Sequence, residues 1–270
     1  MATAPSSQLP PLYNDLVVLS RDQHANFKLR QTTQAPFLSN FHAVPLTVEE
    51  FPLVQRFMPI VFTQGKDALP LGLMGLNEGV NVFFDEEGNL LEPNMYIPAY
   101  IRRYPFMLVP LQQNSSELSL CFDPSSDTIG ELEDGDALFA NGEPSELTQN
   151  ILTFNEHFEQ SALNTTSFVN ELNELGLLRE EEMQIDLPGA PQPFTYRGFQ
   201  VIDEPKLRDL RGDQLRKMAQ NGMLPLIYCH LYSINLMREL FDRQLRQNKV
   251  PGVTFTPTAE GTAPVAANAE

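Results

Sequence analysis

The sequence predicts an α+β fold: a single domain with a central, mostly antiparallel or mixed sheet packed by C-terminal helices. Two changes of pattern indicate this. Between about residues 59 and 124, apolar residues form short continuous or alternating runs, which is typical of strands. From residue 145 onwards they recur every three to four positions, which is typical of amphipathic helices. A chain of 270 residues with 42% hydrophobic content can bury a core of this kind.

Both ends of the chain are predicted to lie outside the folded body. Residues 1–12 and 247–270 are rich in proline, alanine and other small residues. Such segments offer too little apolar surface to repay the entropy lost on packing, so we expect flexible tails. The predicted domain is residues 13–246. Within it, no internal repeat and no break in composition indicates a second domain.

The first elements are short and carry helix-start signals. "DLVVLS" predicts a strand, and Ser20 with Gln23 three residues later predicts a capping box for a helical turn. Thr47 and Glu50 form a stronger box at the start of "VEEFPLVQRFM". Pro52 removes a backbone donor inside that segment, so we expect the helix to begin irregularly or to kink.

The middle of the chain predicts the sheet. "PIVFTQG", "LPLGLMGL" and "GVNVFFDEEGNLLE" are predicted as successive strands, the last of them turning at residues 85–88. "MLVPLQ" and "LSLCFDP" are predicted as two further strands joined by a polar tip at residues 113–117.

The remaining chain is mainly helical. "SELTQNILTFNEHFEQSAL" and "TTSFVNELNELG" each carry one apolar stripe, and the second is expected to stop at Gly176. "EEMQIDLP" and "YRGFQVIDE" predict a pair of strands. One long helix from about Leu224 to Arg246 is predicted to cover the core.

Charge and cysteine content limit the possible partners and compartment. The chain has 35 acidic against 18 basic residues, a net charge of -17, which repels phosphate backbones, so we expect no nucleic-acid partner. Cys121 and Cys229 are too few for a disulfide framework or a zinc site. No signal peptide and no apolar run of spanning length is visible, which predicts a cytoplasmic protein without a transmembrane segment. Nothing in the sequence indicates an oligomeric state.

One short patch carries concentrated positive charge. In "YIPAYIRRYPF", Arg102 and Arg103 are flanked by Tyr100 and Tyr104. Paired guanidinium groups beside aromatic rings could bind an anion or the C-terminal carboxylate of a peptide. Alternatively the rings belong to the core and the arginines pair with carboxylates of the same chain. Both interpretations stay open at the level of sequence.

Two further positions are candidates for ligand binding. Asn81 and Asp85 bracket a predicted strand and could line a polar pocket, although Asp85 equally suits a turn. His230 lies at the edge of the apolar stripe of the last predicted helix. A satisfied, partly buried histidine is the usual finding at such a place, and ligand binding is the alternative.

Histidine and aspartate side chains could form a metal site, but no sequence pattern supports one. Three histidines and three aspartates could in principle converge on an ion: His24, His42, His230, Asp85, Asp123 and Asp203. None of the usual metal-binding spacings of histidine and carboxylate occurs. We therefore predict no metal and no cofactor, and we assign no catalytic residue.

Several blocks together carry a family resemblance. They are "EFPLVQRFMPIVF", "LGLMGLNEGVNVFFDEEGN", "YIPAYIRRYPFML", "LCFD", "ALFANGEPS", "GFQVIDEPKL" and "GMLPLIYCHLYSI". In this order they resemble the SapC family of bacterial proteins, over roughly Tyr13 to Phe241. The block "YIPAYIRRYPF" is the most specific of them.

The resemblance implies a role but no catalytic residues. The family is named after a protein linked to a paracrystalline surface layer, and relatives occur near genes for outer-membrane receptors. It implies a non-catalytic accessory or binding protein that recognises a protein or peptide in a surface-layer or outer-membrane uptake system. The alternative is a metal-assisted enzyme that acts on a small molecule or peptide through an unrecognised histidine and carboxylate site.

Overall fold

The computed structural model of the chain describes residues 9–110, 118–188, 190 and 192–253. Within it the chain divides into two compact units. The first consists of Met1–Thr33 and Tyr100–Gln160, and the second of Gln34–Ala99 and Ser161–Glu270. Each unit is therefore built from two separate stretches of sequence.

The secondary structure alternates between short strands and helices before the longer C-terminal elements. The strands are β1 (Val17–Val18), β2 (Lys28–Leu29), β3 (Ala43–Pro45), β4 (Ile60–Thr63), β5 (Pro70–Leu73), β6 (Phe106–Pro110), β7 (Leu118–Phe122), β8 (Ile129–Gly130), β9 (Asp136–Ala137), β10 (Phe139–Ala140), β11 (Glu143–Pro144), β12 (Leu178–Ile185) and β13 (Phe194–Ile202). The α-helices are α1 (Arg21–His24), α2 (Phe51–Val54), α3 (Ala99–Arg102), α4 (Glu146–Glu174), α5 (Glu204–Arg208), α6 (Gly212–Gln220), α7 (Met223–Ser233) and α8 (Leu236–Arg246). Two 3-10 turns lie at Pro36–Leu38 and Val48–Glu50.

The first unit is held together by small antiparallel sheets. One has the order β1-β7-β6, another the order β8-β2-β9, and β10 pairs with β11 as a hairpin. Phe106 and Phe122 lie opposite each other in the β6–β7 register and form the centre of its core. Leu147 and Ile151, from the first half of α4, cover this core.

The second unit contains the main sheet. Its strand order is β12-β13-β4-β5-β3, and all neighbouring strands are antiparallel. Val61, Phe199 and Val201 bury one face of the sheet against Met237, at the start of α8. On β4 three consecutive residues, Ile60–Phe62, are buried, so helices cover both faces of the strand: α8 contacts Val61 through Met237, and α7 contacts Phe62 through His230.

Helix α7 completes the hydrogen bonding of two neighbouring strands. The backbone N–H of Ile202 on β13 donates to Nε2 of His230, at 3.0 Å. The backbone N–H of Ile60 on β4 donates to Oγ of Ser233, at 2.9 Å. Strand–strand pairing of β4 and β13 is confined to residues 62–63 and 199–200, so these side chains satisfy backbone groups beyond the paired part.

Much of the predicted architecture is confirmed. The protein has an α+β fold in which C-terminal helices pack on an antiparallel sheet. Thr47 and Glu50 form the predicted capping box, and α2 follows it with Pro52 in its first turn. The strand pairs β6–β7 and β12–β13 form as predicted, and α4 ends just before Gly176, which has a left-handed φ of 60°. The predicted domain limits of 13 and 246 stay predictions.

The predicted position of the sheet was wrong. The strands between residues 59 and 124 do not form one sheet: β4 and β5 belong to the second unit and β6 and β7 to the first. "GVNVFFDEEGNLLE" does form the turn at Asp85–Gly88, but only a single bridge between Phe84 and Leu90 flanks it. Asn81 causes this difference, because its side-chain oxygen accepts the N–H groups of Phe83 and Phe84, which are then not available to a neighbouring strand.

Two helix predictions were also wrong. The long helix from Leu224 to Arg246 is broken into α7 and α8, because Ser233 Oγ donates to the carbonyl of His230 and Asn235 Nδ2 donates to that of Tyr232. The two segments predicted after residue 145 are one helix, α4. There the hydroxyl of Thr165 donates to the carbonyl four residues earlier, an arrangement compatible with a continuous helix.

Three smaller expectations concern the chain ends and turns. Ser20 does not cap α1 through its side chain; its backbone N–H donates to Nδ1 of His24 instead, at 3.0 Å. Val250 and Val253 are buried in one cluster with Leu245, and the boundary at residue 246 stays a prediction. The polar tip at 113–117, residues 1–8 and residues 254–270 lie outside the described residues.

Candidate functional site

Arg103, from the predicted anion patch, is buried in the first unit. Its side chain is 2% exposed, and Nη1 forms an ion pair with Oε1 of Glu159 on α4, at 3.1 Å. The guanidinium carbon lies 4.2 Å from the ring centre of Phe158 and 5.1 Å from that of Tyr100. A desolvated guanidinium held by a carboxylate and stacked on rings makes a strong internal contact, so Arg103 connects α3 to α4.

The neighbouring residues of the patch are divided between core and surface. Arg102 is exposed and lies over the ring of Phe154, 5.1 Å from its centre. The hydroxyl of Tyr100 donates to the carbonyl of Pro11 at 2.6 Å, and burial raises the pKa of Tyr100 to about 12. Tyr104 is half-buried, and burial raises its pKa as well. Arg102 is therefore the member of this patch whose position best permits binding from outside.

His230 is fully buried in the second unit. Besides accepting the N–H of Ile202, its ring packs against Phe62, with the ring centres 5.1 Å apart. Burial lowers the pKa of His230 to about 3, so the imidazole is neutral at ordinary pH. His230 is thus a core histidine bonded through Nε2, while its Nδ1 is buried without a hydrogen-bond partner among the described residues. The ligand-binding role assigned to His230 stays a prediction.

The histidine and carboxylate convergence has no counterpart in the described part of the chain. Over residues 9–110, 118–188, 190 and 192–253, no three His, Cys, Asp or Glu side chains lie close enough together to hold a metal ion.

Two pockets in the second unit offer surfaces for a ligand. The larger, which we call the Lys249 pocket, has a volume of about 490 Å³. Its lining is mainly polar and includes Ser39, Asn40, Asn81, Asp85, Glu86 and Lys249. The structure therefore places the predicted pair Asn81 and Asp85 in the wall of one pocket.

Asn81 builds the wall of the Lys249 pocket. Its side-chain NH₂ donates to the carbonyls of Leu38 at 2.9 Å and Phe41 at 3.1 Å. Its side-chain oxygen accepts the N–H groups of Phe83 and Phe84. A fully buried amide with all these groups engaged cannot reach a ligand directly, so the geometry makes Asn81 a positioning residue.

Lys249 contributes the positive charge of this pocket. Its ammonium donates to the backbone carbonyl of Asn81 at 2.6 Å. Burial lowers its pKa, and the carboxylates of Glu86 and Asp85 partly offset that effect. Lys249 follows α8 after Asn248, whose left-handed φ of 54° turns the chain back towards the pocket.

The smaller cavity, which we call the Tyr196 pocket, lies on the face of the main sheet that packs against the start of α8. Its volume is about 190 Å³. Most of its lining is apolar, from β4, β5, the loop after β5, β13 and the start of α8: Val61, Leu71, Leu73, Leu76, Phe199 and Met237. His42, Tyr196 and Arg197 supply its polar groups together with Thr63.

The hydroxyl of Tyr196 is buried without a hydrogen-bond partner among the described residues. Burial raises the pKa of Tyr196 to about 12, so the phenol stays protonated and able to donate. A buried polar group without a partner is uncommon in folded proteins and marks a place where a ligand or water completes the bonding. The lining of the pocket is thus mainly apolar and includes one residue whose polar group is unused.

Sequence reasoning missed the two residues that distinguish these pockets. Lys249 was assigned to the C-terminal tail, because nothing in its sequence context indicates the contact with Asn81. Tyr196 was predicted only as part of a strand. Its alternation with Phe194 and the Gly198 that follows it were the available signals, but they predict a strand and not an open pocket.

Comparison with known proteins identifies the family. A model of the SapC family matches residues 19–240, well over half of the chain. This chain belongs to the SapC family. The match lies within the span of the resemblance noted in the sequence and confirms it. Comparisons of this SapC-family chain with curated proteins and with solved structures give no match. Across its described residues, no helix is long and apolar enough to cross a membrane.

Proposed function

We propose that this SapC-family protein is a non-catalytic binding protein that recognises a peptide or an exposed segment of a partner protein at the Tyr196 pocket. The observation that carries the proposal is the buried, unpartnered hydroxyl of Tyr196, a residue that lines a mainly apolar pocket. Leaving such a group without a partner costs about 1–3 kcal/mol, and a bound peptide that pairs with it recovers this cost.

The size of the pocket supports a side chain as its occupant. Pockets for drug-sized molecules usually enclose about 300–1,000 Å³. At about 190 Å³ the Tyr196 pocket is smaller, and its apolar lining suits one large aliphatic or aromatic side chain. Single anchoring side chains that fill pockets of this kind supply much of the energy of protein–protein interfaces.

The charges around the pocket specify the chemistry of the partner. The lining contains Arg197 and His42 but no carboxylate, in a chain of net charge -17. Glu182 lies opposite Arg197 in the β12–β13 register, yet within the described ranges Arg197 forms no ion pair. We infer that the bound segment carries a carboxylate next to its apolar anchor, so that Arg197 pairs with it.

The proposed setting follows the family. We propose that the protein works in the cytoplasm as an accessory of a surface-layer or outer-membrane uptake system, with a protein of that system as its partner. Among the described residues, no observation favours the enzyme alternative.

Amide chemical shifts of the isotope-labelled full chain test the proposal with three short blocked peptides. The probe is acetyl-Ala-Phe-Glu-Ala-amide; one control replaces its Phe by Ala and the other its Glu by Gln. We expect saturable shifts at Leu73, Tyr196 and Arg197 with the probe, and weaker binding of both controls. Equal behaviour of the three peptides, or no saturable shift at these residues, would overturn the proposal.

Two variants locate the binding. Tyr196→Phe removes only the hydroxyl, and we expect it to weaken binding of the probe several-fold. Arg197→Gln is expected to remove the preference for the peptide with Glu over the peptide with Gln. The matched controls are Tyr232→Phe and Arg216→Gln, which alter exposed residues outside the pocket lining and should leave binding unchanged.

A further inference from the structure

We propose that the Lys249 pocket binds a small zwitterion, a molecule with a free amine and a free carboxylate, of the class of amino acids and dipeptides. This goes beyond the recognition proposed at the Tyr196 pocket, because it concerns other residues and a free small molecule. The two proposals can fail separately.

The pocket contains charges of both signs in its lining. Lys249 supplies an ammonium group, and Asp85 and Glu86 supply carboxylates. A ligand with one charge would meet a like charge on one side of the pocket, whereas a zwitterion can direct its carboxylate to Lys249 and its amine to the acids.

Lys249 and Glu86 retain bonding capacity for a ligand. A lysine ammonium has three N–H donors, and in the described structure one of them is used by the carbonyl of Asn81. Glu86 is exposed and has no hydrogen bond or ion pair within the described residues. Asp85 is more engaged, because its two oxygens accept from the backbone and side chain of Asn89. Glu86 is therefore the better acceptor for a ligand amine.

The backbone that carries Lys249 is anchored on both sides. Its N–H donates to the carbonyl of Gln244 at 2.8 Å, and its carbonyl accepts from the side chain of Gln244 at 3.1 Å. Gln244 is fully buried, and its side-chain oxygen accepts the N–H of Leu76 at 2.6 Å. The backbone from which the Lys249 side chain extends is thus fixed, which lowers the entropy lost when a ligand binds.

The opposite wall is fixed by Asn81, which joins the Leu38–Phe41 segment to the Phe83–Phe84 segment through its side chain. The first segment contains Ser39 and Asn40, and the second is followed directly by Asp85 and Glu86; all four residues line the pocket. The buried side chain of Asn81, which the sequence already predicts as part of a polar pocket, therefore sets the spacing of the charged groups.

The volume of the pocket agrees with the proposed ligand class. At about 490 Å³ it falls within the range of about 300–1,000 Å³ that is usual for small-molecule sites. The lining includes the ring of Phe84 beside polar groups. Such a pocket holds a dipeptide by its two charged ends while leaving room for small side chains.

Titration of the full chain with alanyl-alanine tests the proposal, with amide chemical shifts as the readout. We expect saturable shifts at Asn40, Glu86 and Lys249 at millimolar concentrations. N-acetyl-alanyl-alanine lacks the amine and alanyl-alanine amide lacks the carboxylate, so each should bind roughly tenfold more weakly or worse. If either blocked form binds as well as alanyl-alanine, or no shift saturates, the proposal is wrong.

Substitutions separate the two charged ends. Glu86→Gln alters an exposed residue, so it should fold normally, and we expect it to remove the advantage of the free amine while keeping that of the carboxylate. Lys249→Met should have the opposite effect. The matched controls are Glu180→Gln and Lys66→Met at exposed positions outside the pocket. Unchanged discrimination in Glu86→Gln would overturn the assignment even if Lys249→Met failed to fold.

Discussion

Nε2 of His230 accepts the backbone N–H of Ile202 at 3.0 Å, in a position where the imidazole has no exposed surface. Only the neutral ring can do this, because a protonated imidazole has no acceptor nitrogen. Burial lowers the pKa of His230 to about 3, and the ring is therefore a neutral structural connection between α7 and β13.

This relationship predicts a dependence of stability on pH. The unfolded chain binds a proton at His230 below its ordinary pKa of 6.5, whereas the folded chain does so only near 3. Stability from this group is thus complete above about pH 6.5 and is lost as the pH falls towards 3. At about pH 5 the loss amounts to about 2 kcal/mol.

This pH dependence of stability is measured by denaturant unfolding of the wild type and of His230→Gln between neutral and acid pH. Other groups titrate in the same range, so the difference between the two curves is the readout. We expect the variant to be less stable at neutral pH and to lose less on acidification. His157→Gln alters an exposed histidine and serves as control. Parallel curves for the wild type and His230→Gln would contradict the assignment.

Arg102 and Arg103 are predicted to differ sharply despite being adjacent. Arg103→Ala removes a buried guanidinium from the rings of Tyr100 and Phe158 and leaves Glu159 without its partner, which should cost about 2–4 kcal/mol. Arg102→Ala removes an exposed side chain, and its contact over the ring of Phe154 is worth about 1 kcal/mol or less. The urea midpoints of the two variants, measured side by side, compare their losses of stability. Equal losses would contradict the assignment of Arg103 to the core and Arg102 to the surface.

The contrast between these arginines shows what a sequence can reveal about this protein. The block that contains them was recognised as specific to a family and as rich in rings, and both observations are consistent with a core. Which arginine is buried depends on α4 bringing Phe158 and Glu159 to α3, and that contact joins residues far apart in the chain. Local patterns hold no information about it.

The helix and strand predictions are correct where they depend on contacts between neighbouring residues and wrong where they depend on contacts between residues far apart in the chain. The Thr47 and Glu50 box lies within four residues, so the sequence alone predicts it correctly. The break between α7 and α8 involves Ser233, whose hydroxyl also accepts the N–H of Ile60. Periodicity favours one long helix there, and a tertiary hydrogen bond overrides it. Lys249 was likewise missed because its contacts are with Asn81 and Gln244 of the folded chain.

Tyr196→Phe is predicted to stabilise the protein while weakening the proposed binding. The substitution removes a buried hydroxyl that has no partner among the described residues, so the free energy of unfolding should increase by about 1 kcal/mol. Tyr100→Phe is the matched control, because it removes a hydroxyl that donates to Pro11 and should destabilise by a similar amount. Thermal unfolding of both variants measures the signs, and a loss of stability in Tyr196→Phe would show that the hydroxyl has a partner.

Gly88 and Gly79 are predicted to respond differently to the same substitution. Both have left-handed φ angles, 81° and 76°, so alanine at either position costs about 1–2 kcal/mol in backbone strain. A Cβ at Gly79 would have no heavy atom within 4 Å, whereas one at Gly88 would overlap the backbone of Ala35 and Pro36. That backbone cannot withdraw easily, because the N–H of Ala35 donates to the carbonyl of Gly88 at 2.9 Å.

We therefore expect Gly79→Ala to fold with a modest loss of stability and Gly88→Ala to lose several kcal/mol, or to fail to fold. Because Gly88 closes the turn that carries Asp85 and Glu86, a folded Gly88→Ala should also show altered amide shifts along the Lys249 pocket. Chemical denaturation followed by circular dichroism compares the two variants under one set of conditions. Equal losses would mean that strain alone determines the cost and that the Ala35–Gly88 contact is looser than the structure has it.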